Sequence, residues 1–261
     1  MMPITHPRED FLTTSAWITC PKPNPAATLR LICVPYAGGG ASTFAPWARL
    51  FPPTVEVWAV QLPGRETRLR EAPYRQFNPL IEATAQALLP YLDKPFALFG
   101  HSLGALICFE LAHYLRRQAS VQPTHLFVSG RRPPHMPSRE PALHHLPDAA
   151  FISQVQQRYN GIPPVILQEK ELLELFLPIL KADFELLEDY QYTHAAPLDC
   201  PISAFGGRQD GQALEHELAD WFSQTKNAFS LIMLPGNHFF IQSARPLLVQ
   251  AIVNTLTPLL N

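Results

Sequence analysis

The feature that most constrains this chain is a series of short apolar runs that do not alternate with polar residues. They occupy positions 29–34, 55–60, 96–99, 126–129, 202–205 and 229–234. A strand with one wet face shows a period of two, whereas a run that is apolar throughout is buried on both faces, as parallel strands are. Between these runs lie helical patterns at 43–50, 79–92, 103–116, 213–222 and 246–256. Asn78 is placed to cap the second, and Ser243 stands near the start of the last. In the third, Leu103, Leu106, Ile107, Leu111 and Leu115 form one stripe. Strands alternating with helices predict βαβ units, right-handed crossovers and an α/β class with a mostly parallel sheet flanked by helices.

One segment breaks the rhythm. Positions 131–199 contain no convincing strand. Pro133, Pro134, Pro137, Pro141 and Pro147 make 131–147 loop-like, and helical patterns follow at 148–158, 168–176 and 179–190, with Asp148 and Asp183 among them. No second sheet is available to this segment, so it reads as a helical insertion within a single domain spanning 1–261. Inserted over the carboxyl ends of the strands, it is expected to act as a lid. Its apolar residues Phe176, Leu177, Ile179, Leu180, Phe184 and Leu187 serve equally well as a pocket lining or as plain core.

Composition narrows the class further. The chain has 261 residues, 47% of them hydrophobic and 16% charged, with a net charge of -2. That balance suits a globular enzyme and gives no footprint for nucleic acid. The 28 prolines are spread along the chain and point to a loop-rich protein. The four cysteines, Cys20, Cys33, Cys108 and Cys200, have neither metal-ligand nor redox spacing and read as free, mostly buried thiols. No metal site is expected. The stretch 1–25 holds no apolar core of a signal peptide, and no run approaches the ~18 apolar residues of a membrane span. The expectation is a soluble cytoplasmic protein without a membrane partner, acting as a monomer.

The chemistry begins at Gly100-His101-Ser102-Leu103-Gly104. The five-residue pattern is weak alone, but here a predicted strand runs into it and a predicted helix leaves it. Ser102 therefore occupies a sharp strand-to-helix turn, the context of the nucleophile elbow in the α/β-hydrolase fold. A serine hydroxyl needs a base, and the base needs an orienting carboxylate. Of the ten histidines, His238 alone follows the last strand through the turn Pro235-Gly236-Asn237; the others, including His101 and His113, sit in bland positions. The acid is found by exclusion. No carboxylate follows the strand ending at Ser129; Asp199 precedes its strand; Glu215, Glu217 and Asp220 fall in the next helix. Asp210, in the loop after 202–205, remains. Two backbone N–H groups are needed for an oxyanion, and Leu103 and Ala37 are the candidates, Ala37 from the loop Pro35-Tyr36-Ala37-Gly38-Gly39-Gly40. That glycine-rich loop fits neither the dinucleotide nor the P-loop spacing.

At these residues the chain resembles the type II thioesterases, the stand-alone editing enzymes of nonribosomal peptide and polyketide synthesis. The similarity rests on Pro35-Tyr36-Ala37-Gly38-Gly39 with Ser42, Leu62-Pro63-Gly64-Arg65-Glu66, and Phe99-Gly100-His101-Ser102-Leu103-Gly104. It continues in Phe176-Leu177-Pro178 with Leu180-Lys181-Ala182-Asp183, Gly206-Gly207 with Asp210, and Pro235-Gly236-Asn237-His238-Phe239-Phe240. Asn237 and Gly211 depart from the family, which often carries glycine and proline there. The resemblance implies hydrolysis of acyl groups from the phosphopantetheine thiol of a carrier domain, with no cofactor of the enzyme's own. It assigns the triad to Ser102, Asp210 and His238, in agreement with the residues themselves. Arg65 and Arg68 are expected as solvated arginines of a structural turn, contact with the carrier arm or its acidic surface being the other possibility. A small-molecule esterase or acyltransferase on the same triad, and a silent carrier-binding protein, are the rivals.

Overall fold

In the computed structural model the described residues are 15–260; the first fourteen positions of the N-terminal stretch lie outside them. Seven strands form one sheet: β1 (Ile18–Thr19), β2 (Leu29–Val34), β3 (Val55–Val60), β4 (Phe96–His101), β5 (His125–Ser129), β6 (Ile202–Gly207) and β7 (Phe229–Leu234), in spatial order β1-β3-β2-β4-β5-β6-β7. All pairings are parallel except β1 with β3. Every apolar run expected as a strand is one. Four adjustments extend the reading: β4 continues through Gly100 to His101, β5 starts at His125, β6 continues to Gly207, and β1 is an additional strand whose two residues are too few to show a period.

Burial on both faces explains the unalternating runs of β2 to β6; β7 departs from the expectation, since at the sheet edge only its Leu234 is buried and Ser230 is exposed. Along β2, Leu29, Leu31 and Cys33 pack into one apolar cluster, while Ile32 and Val34 pack into the other. The first cluster is completed by Trp47, Phe44 and α8 (Arg245–Leu256). The second is completed by α1 (Phe77–Leu88) and α2 (Leu103–Ala119). Two layers of helix on one sheet follow from that alternation of side chains about the strand axis.

Helix ends differ from expectation where local chemistry competes. Helix α1 begins at Phe77, so Asn78 is inside it and Gln76 takes the capping position. The 43–50 pattern is a 3-10 helix, Ala41–Arg49, which accommodates Pro46. The 213–222 pattern is a short α6 (Glu215–Ala219) continued by a 3-10 segment, and Ser243 closes α7 (Phe240–Ser243) rather than opening α8.

Between β5 and β6 the chain forms α3 (Asp148–Tyr159), α4 (Pro164–Gln168) and α5 (Lys170–Glu188). The two helices expected around Pro178 are one. Proline removes the bond to the carbonyl four residues earlier, that of Glu174. Pro178 and Glu174 are both exposed, so the break lies on the solvent side of the helix, while Leu177, Leu180 and Phe184 on the opposite face hold the helix to a third apolar cluster with Leu143, Phe151, Val155 and Ile162. Cys33, Cys108 and Cys200 are buried free thiols and Cys20 is half-buried. Among the described residues no helix is long and apolar enough to cross a membrane.

Candidate active site

Ser102 stands between β4 and α2 with φ 54 and ψ -111, a conformation that side chains rarely adopt. Close crossing of strand and helix enforces it. A Cβ on Gly100 would lie 2.0 Å from the Gly104 carbonyl oxygen, and one on Gly104 would lie 2.1 Å from that of Val34. The Ser102 N–H donates to Ser129 O at 2.8 Å, which ties the turn to β5. The amide of Leu103 follows at the first turn of α2, where unpaired N–H groups and the helix dipole favour negative charge.

His238 and Asp210 meet on the loops after β7 and β6. His238 Nδ1 is 2.8 Å from Asp210 Oδ2, and both side chains are buried. The two loops are laced together: Gln209 N–H donates to Gly236 O at 3.0 Å, and Gly236 N–H donates to Gln209 Oε1 at 2.6 Å. Asp210 is held further by its other oxygen, which accepts the Gln212 N–H at 2.8 Å. The carboxylate thereby keeps the proton on Nδ1 and leaves Nε2 as the basic nitrogen. Ser102 and His238 line the same two cavities.

His101, expected to be bland, belongs to this assembly. Its Nε2 lies 2.9 Å from the His238 carbonyl oxygen and its Nδ1 lies 2.8 Å from Ser129 Oγ. A carbonyl only accepts, so Nε2 carries the proton and Nδ1 accepts from the hydroxyl. Burial, with His238 nearby, holds His101 well below the usual histidine range, and it stays neutral. Gly130, at φ 61, passes so close that a Cβ there would lie 2.7 Å from the ring. The sequence signal was available: a histidine ending an unbroken apolar strand next to the elbow is buried, and a buried imidazole needs two partners.

Arg65 and Arg68 correct the expectation of solvated arginines. Both are buried. Arg65 Nη1 and Nη2 grip Asp183 of α5 at 2.7 and 2.9 Å, and Nη1 also donates to Gly39 O at 3.3 Å. Asp183 Oδ2 accepts the Gly38 N–H at 2.7 Å. The glycine loop is thus fixed from both sides, next to Ala37. Arg68 donates to Gln61 O at 3.0 Å and packs its guanidinium 4.0 Å from the Trp17 ring centroid. Arg65 reads as solvated from sequence because Asp183 lies 118 positions along the chain, whereas the hydrogen-bond partners of Arg68, Gln61 and Glu71, are local and only its burial was missed.

The two cavities meet at Ser102, His238, Tyr159, Phe184 and Leu187. The larger, about 350 Å³, is walled by 130–132 and 134–142 and by polar side chains including Arg131, Ser138, Tyr190 and Gln212. The smaller, about 30 Å³, is walled by Ala37, Val155, Leu180 and Phe239.

Comparison with known proteins follows the same lines. The thioesterase domain family matches residues 29–258. The gramicidin S biosynthesis protein GrsT of Aneurinibacillus migulanus is 45% identical over 88% of this chain and 89% of its own length. Linear gramicidin dehydrogenase LgrE of Brevibacillus parabrevis is 41% identical over 95% of both. The solved structure of the type II thioesterase BorB, from the borrelidin biosynthetic cluster, superimposes with a TM-score of 0.84 at 32% identity, over 93% of this chain and 98% of that one.

Proposed function

Because the chain belongs to the thioesterase family, we propose that it is a type II editing thioesterase that hydrolyses acyl or aminoacyl groups from the phosphopantetheine thiol of carrier domains of nonribosomal peptide or polyketide synthases. The observation that carries this reading is the buried His238–Asp210 pair on a cavity wall shared with Ser102 at its strained turn.

In this reading Ser102 Oγ attacks the thioester carbonyl carbon while His238 Nε2 takes the hydroxyl proton. The amides of Leu103 and Ala37 stabilise the oxyanion. The tetrahedral intermediate collapses, the C–S bond breaks, and the thiol leaves with the proton from His238. Water, deprotonated by His238, then attacks the acyl-serine; the acid is released and Ser102 regains its proton. A thiolate leaves more readily than an amine, so little acid assistance is required. The segment 131–199 acts as a lid within a single domain, and the enzyme works as a cytoplasmic monomer with carrier domains as its partners. The dehydrogenase activity in the name of LgrE is not carried over, because the loop 35–40 lacks the dinucleotide spacing.

The test is mass spectrometry of a carrier protein loaded with a defined acyl group, before and after treatment. The native protein strips the acyl group and Ser102→Ala leaves it in place, with rates falling at least a thousandfold while the fold persists. Full activity in Ser102→Ala overturns the mechanism. Faster turnover of simple oxygen esters than of acyl-carrier favours the esterase rival.

A further inference from the structure

Four arginines line the larger cavity: Arg131, Arg132, Arg139 and Arg158. Arg132 and Arg139 lie 3.7 and 3.1 Å from Glu217, and Arg158 lies 3.6 Å from Glu140. Glu188, also on the wall, is taken up by His144 and by the amides of Leu143 and His144. Arg131 stands apart. Among the described residues no carboxylate lies within 4.0 Å of its guanidinium, and its Nε is shielded from solvent without a hydrogen-bond partner. Its main chain, by contrast, is fixed: Arg131 O accepts from Trp221 Nε1 at 2.7 Å, and Gly130 N–H donates to Phe205 O at 2.9 Å. Burial draws the guanidinium below its usual pKa, with Tyr159 and Tyr190 near enough to interact, yet an arginine stays charged at any physiological pH. Arg131 is half-buried, its Nε is closed off from solvent without a partner, and no carboxylate among the described residues balances its charge, which leaves hydrogen-bonding capacity of the guanidinium unused on the cavity wall.

Position says what meets it. Ser129, two residues earlier, accepts the Ser102 N–H, so Arg131 leaves the sheet beside the nucleophile. The smaller cavity, about 30 Å³ and walled by Val155, Leu180, Phe184 and Phe239, suits a short acyl group. The larger, with its arginine and hydroxyl lining, suits a chain of amides. We infer that Arg131 donates hydrogen bonds to the amide carbonyl of the phosphopantetheine arm nearest the thiol, and so selects the thiol side of the substrate. This rests on the thioesterase reading above. The arm's phosphate is a second acceptor, but the whole pantetheine chain separates it from the thioester, and it stays at the carrier's surface.

The experiment presents one acyl group, propionyl, on ethanethiol, N-acetylcysteamine, pantetheine and 4′-phosphopantetheine. For each thiol, kcat/KM of the native protein is divided by that of Arg131→Gln, which cancels the intrinsic reactivity of the thiols. The ratio is expected to rise about tenfold from ethanethiol to N-acetylcysteamine, the worth of a charge-assisted hydrogen bond, and not to rise again at the phosphate. Arg131→Lys keeps the charge without the planar fork, and gives a smaller rise. Should Arg131→Gln fail to fold, the Arg131→Lys series alone decides. One ratio for all four thiols overturns the inference, as does a rise confined to the phosphorylated arm. Absence of hydrolysis of all four by the native protein defeats the thioesterase reading itself and is distinguishable from both.

Discussion

Arg65 and Asp183, 118 positions apart, hold each other through two hydrogen bonds of 2.7 and 2.9 Å in the protein interior. The same carboxylate accepts the Gly38 N–H, so one side chain joins the turn after β3, helix α5 and the glycine loop beside Ala37. Asp183→Ala leaves a buried guanidinium unpaired and an amide unsatisfied. Loss of one partner from a buried pair costs about 3–5 kcal/mol, which urea unfolding at fixed pH will read. Turnover falls as well, because the loop expected to supply an oxyanion donor loses its anchor. Asp183→Asn keeps an acceptor for Gly38, so it retains more turnover than Asp183→Ala at a similar cost in stability. Equal turnover in the two variants refutes the positioning role.

His101 is predicted to position His238 through the backbone. His101→Phe fills the space but leaves the His238 carbonyl and the Ser129 hydroxyl without the partners now at 2.9 and 2.8 Å. The base then loses its fixed approach, and kcat drops roughly tenfold or more with little change in KM, since misplacement harms the chemical step. Steady-state kinetics on one acyl-thiol substrate separates the two parameters. A change in KM alone contradicts the assignment.

Much of this was legible in the sequence, and what was not has a common cause. The strands were readable because burial on both faces removes the apolar–polar alternation of a half-wet strand, as in 29–34 and 55–60, whose single charged residues, Arg30 and Glu56, are buried and paired with each other. The places of Ser102, Asp210 and His238 in the loops that follow β4, β6 and β7 were readable from the strand ends. Helix limits were harder: a single helix passes through Pro178, which lies on its exposed side, a fact of orientation and not of composition. Arg65 was misjudged for the same reason: its partner Asp183 lies 118 positions away, beyond the reach of any local pattern. For His101 the burial was legible from its place at the end of an apolar strand, and only its partner, the His238 carbonyl, was not. Arg131 escaped notice because its distinction is a missing partner.

Acid should weaken the fold through its buried histidines. His113 and His125 are each drawn down to about 4 chiefly by burial, Arg116 and Arg117 adding to the effect at His113, and His101 is held well below its usual value. Unfolded, each titrates near 6.5. Between that value and the depressed one the unfolded chain binds more protons than the folded one, so stability falls as pH falls through this window and is fully present above it. A drop from 6.5 to about 4 corresponds to about 3 kcal/mol for each of His113 and His125. Urea unfolding from pH 7 to pH 4 reads the slope. His125→Gln, which retains a donor for Ser203 Oγ, removes one proton from it; an unchanged slope contradicts the account.

The strained turn makes a prediction that separates structure from chemistry. Ser102 sits at φ 54, where any Cβ is disfavoured and glycine is not. Such a residue costs of order 1–3 kcal/mol. Ser102→Gly releases that strain, while glycine's extra freedom in the unfolded chain returns about 0.4–1 kcal/mol to the other side. The strain relief is the larger, so Ser102→Gly is expected to exceed Ser102→Ala in stability by about 1 kcal/mol, or some 2–4 °C in Tm for a chain of this size. Both lack the proposed nucleophile and both are expected to be inactive. Comparing the two cancels the loss of the hydroxyl and isolates the backbone. If Ser102→Gly melts below Ser102→Ala, the turn stores no strain at Ser102, and close packing of Gly100 against Gly104 accounts for its geometry without energetic cost at the serine.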